Sequence, residues 1–173
     1  PAGLAAALTA ARTGARVILA DENFLPGGRC LAERRTIDGQ PAADWAAQAI
    51  AELRSMPDVR LFPRTTVFGV FDDGVYGAVE RVNDHLPVPP EFQPRQRVWR
   101  FIAKQTVLAS GSIERPLVFG NNDLPGVMLA GAVRTYVNRY AVLPGRRAVV
   151  FTDNDDGWAT AADLVAAGGQ VAA

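Results

Sequence analysis

The amino-acid sequence predicts an α/β fold in which a parallel sheet carries a three-stranded antiparallel insertion. Three observations predict it. An Ala-rich helical stretch at 3–13 runs into a short apolar strand at 16–20, and a helix followed by a strand recurs at 42–62. From Thr65 the pattern becomes that of β-strands around an Asp-Gly turn. Near Thr106 and again near Arg147 the chain returns to short apolar runs of the kind found in buried parallel strands.

Each element follows from local composition. Residues 3–13 hold Ala and Leu at most positions and precede Gly14, a helix with a glycine C-cap. Residues 16–20 form a strand that ends at Asp21-Glu22, and Leu25-Pro26-Gly27-Gly28 is a loop. Between 42 and 56, Trp45, Ala49, Ile50 and Leu53 lie on one helical stripe, and 58–62 is the next strand, closed by Pro63. Strands at 65–71 and 75–82 flank Asp72-Asp73-Gly74; a Pro-rich loop at 83–96 separates them from a third strand at 98–102. Strand 106–109, a long connection from 112 to 126, a helix at 129–140, a strand at 147–151 and a helix at 158–167 complete the reading.

The 173 residues suffice for one domain or slightly more. Three regions are expected: 1–112 with the β-meander insertion at about 64–104, a connection and helix at 113–143, and the start of a second β-α unit at 144–173. Eighteen basic and eighteen acidic residues cancel without clustering, which argues against a nucleic-acid partner. The single Cys30 can form neither an internal disulfide nor a structural zinc site, and no apolar run reaches the ~20 residues of a membrane span. A soluble, cytoplasmic protein without a membrane partner is the expectation. Because Pro1 opens directly into a helical run and 168–173 reads as a helix stop followed by the start of a strand, the chain reads as an internal segment.

Pro1-Ala2-Gly3, the Ala-rich helix, the strand and the acidic pair match the second half of a dinucleotide fingerprint. On this reading the first strand and the phosphate-loop glycines lie before residue 1. Eighteen positions separate Gly3 from Asp21, near the ~20 that place a carboxylate on a ribose hydroxyl. Gly3 would let helix and strand approach, and the amides at the helix start would face a pyrophosphate. This Rossmann-like reading makes Pro1, Ala2 and Gly3 phosphate-site residues and Asp21 or Glu22 the ribose ligand. Gly27 and Gly28 would admit backbone to the cofactor and Arg29 would meet a phosphate or carboxylate. Ser110 and Gly111, after a strand of small residues, would close the site, and Val67 would contact adenine through its backbone.

The order P-A-G-L, V-I-L-A-D-E, G-G, T-V-F-G-V and V-L-A-S-G resembles the two-dinucleotide-binding flavoprotein and pyridine-nucleotide oxidoreductase superfamily. More specifically, I-E-R-P-L-V-F-G-N-N-D at 113–123, L-P-G-V-M-L at 124–129 and A-V-R-T-Y-V-N-R-Y at 132–140 resemble the alpha subunits of heterotetrameric sarcosine oxidases. The resemblance implies NAD in this dinucleotide domain, with FAD and FMN in the complete complex bound by or shared with a beta subunit, and small subunits as further partners. It implies oxidative demethylation of sarcosine to glycine with release of peroxide and a one-carbon unit, the segment supplying nucleotide site and scaffold and no catalytic base. Two alternatives stand beside it: an independent FAD-dependent NAD(P) oxidoreductase with FAD in this site, and a non-catalytic assembly domain of an amine or imino-acid dehydrogenase complex.

Two departures narrow the superfamily reading. Cys30 stands where disulfide reductases place the first redox cysteine, and the absence of a second excludes dithiol chemistry; a small buried role is expected. In the loop 152–157, where a second glycine-rich phosphate loop would stand, three aspartates oppose pyrophosphate binding and suit a helix cap. His85 receives no role. Arg134 and Arg139 suit surface or interface contacts, and Glu114-Arg115 suits a local salt bridge.

Overall fold

The computed structural model describes residues 1–172, so the end of the expected 168–173 stretch, Ala173, lies outside the described residues. The chain divides into two compact units, residues 1–27 with 46–110 and residues 28–45 with 111–173.

The first unit begins with α1 (Ala2–Arg12), whose Leu4, Ala7 and Leu8 recur at helical spacing and are buried. The helix lies against β1 (Val17–Ala20). Two short strands of the other unit, β2 (Thr36–Ile37) and β3 (Gln40–Pro41), precede α2 (Ala42–Ser55). Strand β4 (Val59–Phe62) pairs in parallel with β1, from Val17 opposite Val59 to Ala20 opposite Phe62. Parallel strands require a crossover, and α2 is part of it.

The insertion forms as expected: β5 (Thr65–Phe71), β6 (Val75–Arg81) and β7 (Gln96–Ile102) make an antiparallel sheet in the order β5-β6-β7. Its tight turn needs the Asp-Gly pair, since Asp73 and Gly74 both take positive φ, 59° and 70°. A Cβ on Gly74 would lie 2.3 Å from the Ala103 carbonyl oxygen, so only glycine fits. Phe62 meets Trp99 edge-on at 5.1 Å and Phe101 at 5.0 Å, tying the meander to the parallel strands.

In the second unit, β2 and β3 form a small antiparallel hairpin turned by Asp38 and Gly39, both at positive φ. Cys30 is buried, as expected. Helix α3 (Ala130–Arg134) continues into a π-helical turn, Thr135–Arg139. Strand β8 (Arg147–Ala148) pairs in parallel with β9 (Gln170–Val171), and α4 (Asp156–Ala166) lies between them in sequence.

Three expectations need correction. Residues 106–109 are not a strand: a strand exists only through its ladder partner, and among the described residues this stretch has none, Val107 and Leu108 being exposed. For the same reason the strand expected at 147–151 pairs over Arg147 and Ala148 alone. The regular helix expected at 129–140 widens after Arg134, which brings Arg134 and Asn138 onto one carboxylate oxygen of Asp163.

Candidate functional site

The first unit places five of the expected residues, Pro1, Ala2, Gly3, Asp21 and Glu22, at the start of α1 and just beyond the end of β1. No side chain caps α1 at Pro1, and no acidic residue stands in its first turn. The Pro1 carbonyl accepts the amide of Ala5 at 2.9 Å. The amides of Ala2, Gly3 and Leu4 have no intrahelical acceptor, as in any first helical turn. A Cβ built on Gly3 would stand 3.4 Å from the Ala109 Cβ and 3.8 Å from Leu19 Cδ1. The helix start therefore touches both β1 and the stretch that leads to Ser110.

Asp21 extends the parallel pairing by one residue. Its amide donates to the Phe62 carbonyl at 3.0 Å and its carbonyl accepts the Thr65 amide at 2.8 Å. Its Oδ1 accepts the backbone amide of Asn23 at 2.9 Å and the Asn23 side-chain amide at 3.2 Å, which holds the carboxylate in an Asx turn. Glu22 is exposed, and its carbonyl accepts a hydrogen bond from the Arg81 guanidinium. Along a strand, residues two apart share a face, so Asp21 shares the α1 side with Leu19 and Glu22 takes the opposite one. Val67 follows two residues after Thr65 and is 44% exposed. Gly27, buried at φ 144°, ends this part of the unit.

Gly28, Arg29 and Gly111 belong to the second unit. There Arg29 joins a cluster that sequence reasoning missed. Its Nη2 donates to Asp156 Oδ2 at 2.7 Å and its Nε donates to Glu33. Arg134 is 5% exposed, correcting the surface role expected for it. Its Nε donates to Asp163 Oδ2 at 2.9 Å, and its Nη1 lies 3.6 Å from Glu33 Oε1 and 3.9 Å from Asp156 Oδ1. Arg35 pairs with Glu33 and lies 3.6 Å from Asp156. Asn138 donates to Asp163 and to the Ala32 carbonyl. The hydrogen bond from Arg29 holds the Asp156 carboxyl below the usual carboxylate range, outweighing partial burial, while Asp156 raises Arg29. Buried carboxylates need such partners, and the signal available in the sequence was the run Glu33-Arg34-Arg35.

Two smaller expectations change. Among the described residues Glu114 pairs with no neighbouring arginine; its carboxylate accepts the amides of Ala130 and Gly131 at 3.0 and 2.7 Å and caps α3. In the acidic loop the N-cap residue of α4, Asp155, makes no side-chain cap hydrogen bond; the Asp156 amide donates to Asn154 Oδ1 at 3.0 Å. Among the described residues no cluster of His, Cys, Asp and Glu could hold a metal, and no helix is long and apolar enough to cross a membrane.

No protein-family model matches the chain. It is 57% identical over 173 residues to the alpha subunit of sarcosine oxidase from Rhizobium meliloti (strain 1021), covering all of this chain and 18% of that protein. It is 33% identical over 176 residues to an opine oxidase subunit of Agrobacterium tumefaciens (strain Ach5), covering 97% of this chain and 33% of that protein. The chain thus spans about a fifth to a third of the length of these relatives. Among solved structures it superposes on L-proline dehydrogenase from P. horikoshii with a TM-score of 0.79 and 23% identity, covering 99% of this chain and 32% of the other. That likeness establishes a shared mixed α/β fold with parallel and antiparallel sheets. The resemblance drawn from the sequence motifs is borne out: the chain is homologous over its whole length to a segment of sarcosine oxidase alpha subunits, which are oxidoreductase subunits.

Proposed function

From this homology we propose that the chain is the dinucleotide-binding part of an alpha subunit in a sarcosine-oxidase-type flavoenzyme complex. The resident nucleotide is NAD, with FAD as the alternative occupant. The single observation that carries the reading is the meeting of Gly3 with Leu19 and Ala109 at an uncapped helix start, two residues along the strand from the Asp21 carboxylate. These residues fit a dinucleotide: free amides and the positive helix end suit a pyrophosphate, and a carboxylate beyond the strand suits a ribose diol.

Pro1, Ala2 and Gly3 present the pyrophosphate-binding turn. Asp21, on the α1 side of β1, is the ribose ligand in preference to Glu22. Gly27, Val67 and Ser110 line the remainder of the site within the first unit. The bound dinucleotide supplies redox or structural chemistry, while the chain orients it and contributes no catalytic base. In the complete enzyme the partners are a flavin-binding beta subunit together with small subunits, the location is cytoplasmic, and the reaction oxidises the C–N bond of a secondary amine such as sarcosine.

Calorimetric titration of NAD and FAD into the intact protein tests the reading. Replacing Asp21 by Ala is expected to weaken NAD binding about 10- to 100-fold, the value of a hydrogen bond to a charged group, and Glu22→Ala to leave it unchanged. Unchanged NAD affinity in the doubly substituted protein would refute the ribose assignment.

A further inference from the structure

The arginine cluster of the second unit has a feature that packing alone does not require. Among the described residues Arg134 Nη1 has no hydrogen-bond partner, and its side chain is only 6% exposed. Carboxylate oxygens of Glu33 and Asp156 lie 3.6 and 3.9 Å from it, beyond a good hydrogen bond. Asp156, at the start of the eleven-residue helix α4, spends Oδ2 on Arg29 at 2.7 Å and leaves Oδ1 facing Arg35 and Arg134 without reaching either.

Arg29, Arg35 and Arg134 thus face three carboxylates, Glu33, Asp156 and Asp163, of which Asp156 alone is substantially exposed. Glu33 has a side chain only 6% exposed, whereas that of Asp156 is 42% exposed and lies at the solvent edge of the cluster. The Arg29 and Arg35 side chains, 53% and 62% exposed, are accessible from outside. A phosphate-type group offers three acceptor oxygens in a tetrahedral array, enough to meet Arg29, Arg35 and Arg134 together, and the helix end adds favourable potential.

We propose that the start of α4 is a self-occupied oxyanion site, in which Asp156 holds the position of a phosphate between Arg29, Arg35 and Arg134 and an external phosphate binds by displacing it. The site is built from residues of the second unit, and the dinucleotide site proposed above from residues of the first. Its strength is set by competition: the internal carboxylate is present at high effective concentration, so only a multiply charged oxyanion displaces it.

The test is calorimetric titration of inorganic phosphate into the intact protein. Asp156→Asn, which keeps the shape and removes the competing charge, is expected to bind phosphate about tenfold more tightly than wild type. Asp155→Asn makes the same change in net charge one residue earlier and is expected to match wild type. Adding Arg29→Gln to Asp156→Asn is expected to abolish the gain. No gain in Asp156→Asn, an equal gain in Asp155→Asn, or a gain that persists without Arg29 overturns the proposal. If Asp156→Asn does not fold, the wild-type protein decides: phosphate must raise its melting temperature more than chloride at equal ionic strength, and Arg29→Gln must remove the difference. Asp21→Ala leaves this effect intact, so failure here is separable from failure of the dinucleotide reading.

Discussion

Replacing Arg134 by Met removes the cation at the centre of the second unit while keeping most of the aliphatic bulk. The structure sets the magnitude. Arg134 donates to Asp163 at 2.9 Å and lies 3.6 Å from Glu33, and these two carboxylate side chains are 10% and 6% exposed. Removing one partner of a buried pair costs about 3–5 kcal/mol because the remaining charge is left uncompensated. Glu33 keeps Arg29 and Arg35, and Asp163 keeps Asn138 at 2.7 Å with Arg34 at 3.9 Å, which places the cost at the lower end, about 3 kcal/mol. That corresponds to roughly 100-fold faster opening-limited exchange of the α4 amides. Hydrogen exchange on peptides covering 156–166 of the intact protein measures it. The charge account makes a second demand: Asp163→Asn, added to Arg134→Met, must recover part of the loss, since it removes the stranded charge. Exchange accelerated less than about threefold, or an Asp163→Asn change that deepens the loss, would refute the reasoning.

Other consequences follow from single contacts. Gly74→Ala forces a Cβ to 2.3 Å from the Ala103 carbonyl oxygen at φ 70° and should cost about 1–3 kcal/mol, read as lost exchange protection in β6 and β7. Leu53, fully buried in α2, should cost about 2–5 kcal/mol as Ala and less than ~1.5 kcal/mol as Met, read from denaturation midpoints. Asp156 has a lowered pKa, so its contribution is complete above the unfolded Asp value of about 3.9 and fades as pH falls through the folded value. The stability difference between wild type and Asp156→Asn should accordingly be present at neutral pH and vanish in acid; a difference that grows on acidification contradicts the pairing.

Much of the fold was legible because it rests on local signals. Leu4, Ala7 and Leu8 mark the buried stripe of α1, and Asp73-Gly74 supplies the two positive φ values of the hairpin, so α1 and the meander fall within a residue or two of their expected bounds. What failed depends on distant partners. Nothing local distinguishes Thr106 to Ala109 from a paired strand, because pairing is a property of two segments. The π turn after Arg134 arises from a demand made by Asp163, 29 positions away, and propensity has no term for it.

The candidate sites divide in the same way. Gly3 and Asp21 can be named from spacing, since a fingerprint of one helix and one strand is nearly local. Arg29 can be named but not its partners: the carboxylate it grips at 2.7 Å lies 127 positions later. Arginine is rarely buried unless paired, and the partners of Arg134, Glu33 and Asp163, stand far from it in sequence, so local reasoning sends this side chain to the surface.

In the proposed function the first unit holds a dinucleotide through the start of α1 and the Asp21 carboxylate. Titration of NAD into the intact protein, with and without Asp21→Ala, tests it most directly. Saturable NAD binding that weakens about 10- to 100-fold on substitution is the predicted result. Binding of neither NAD nor FAD by the intact protein, or NAD binding indifferent to Asp21, would contradict it.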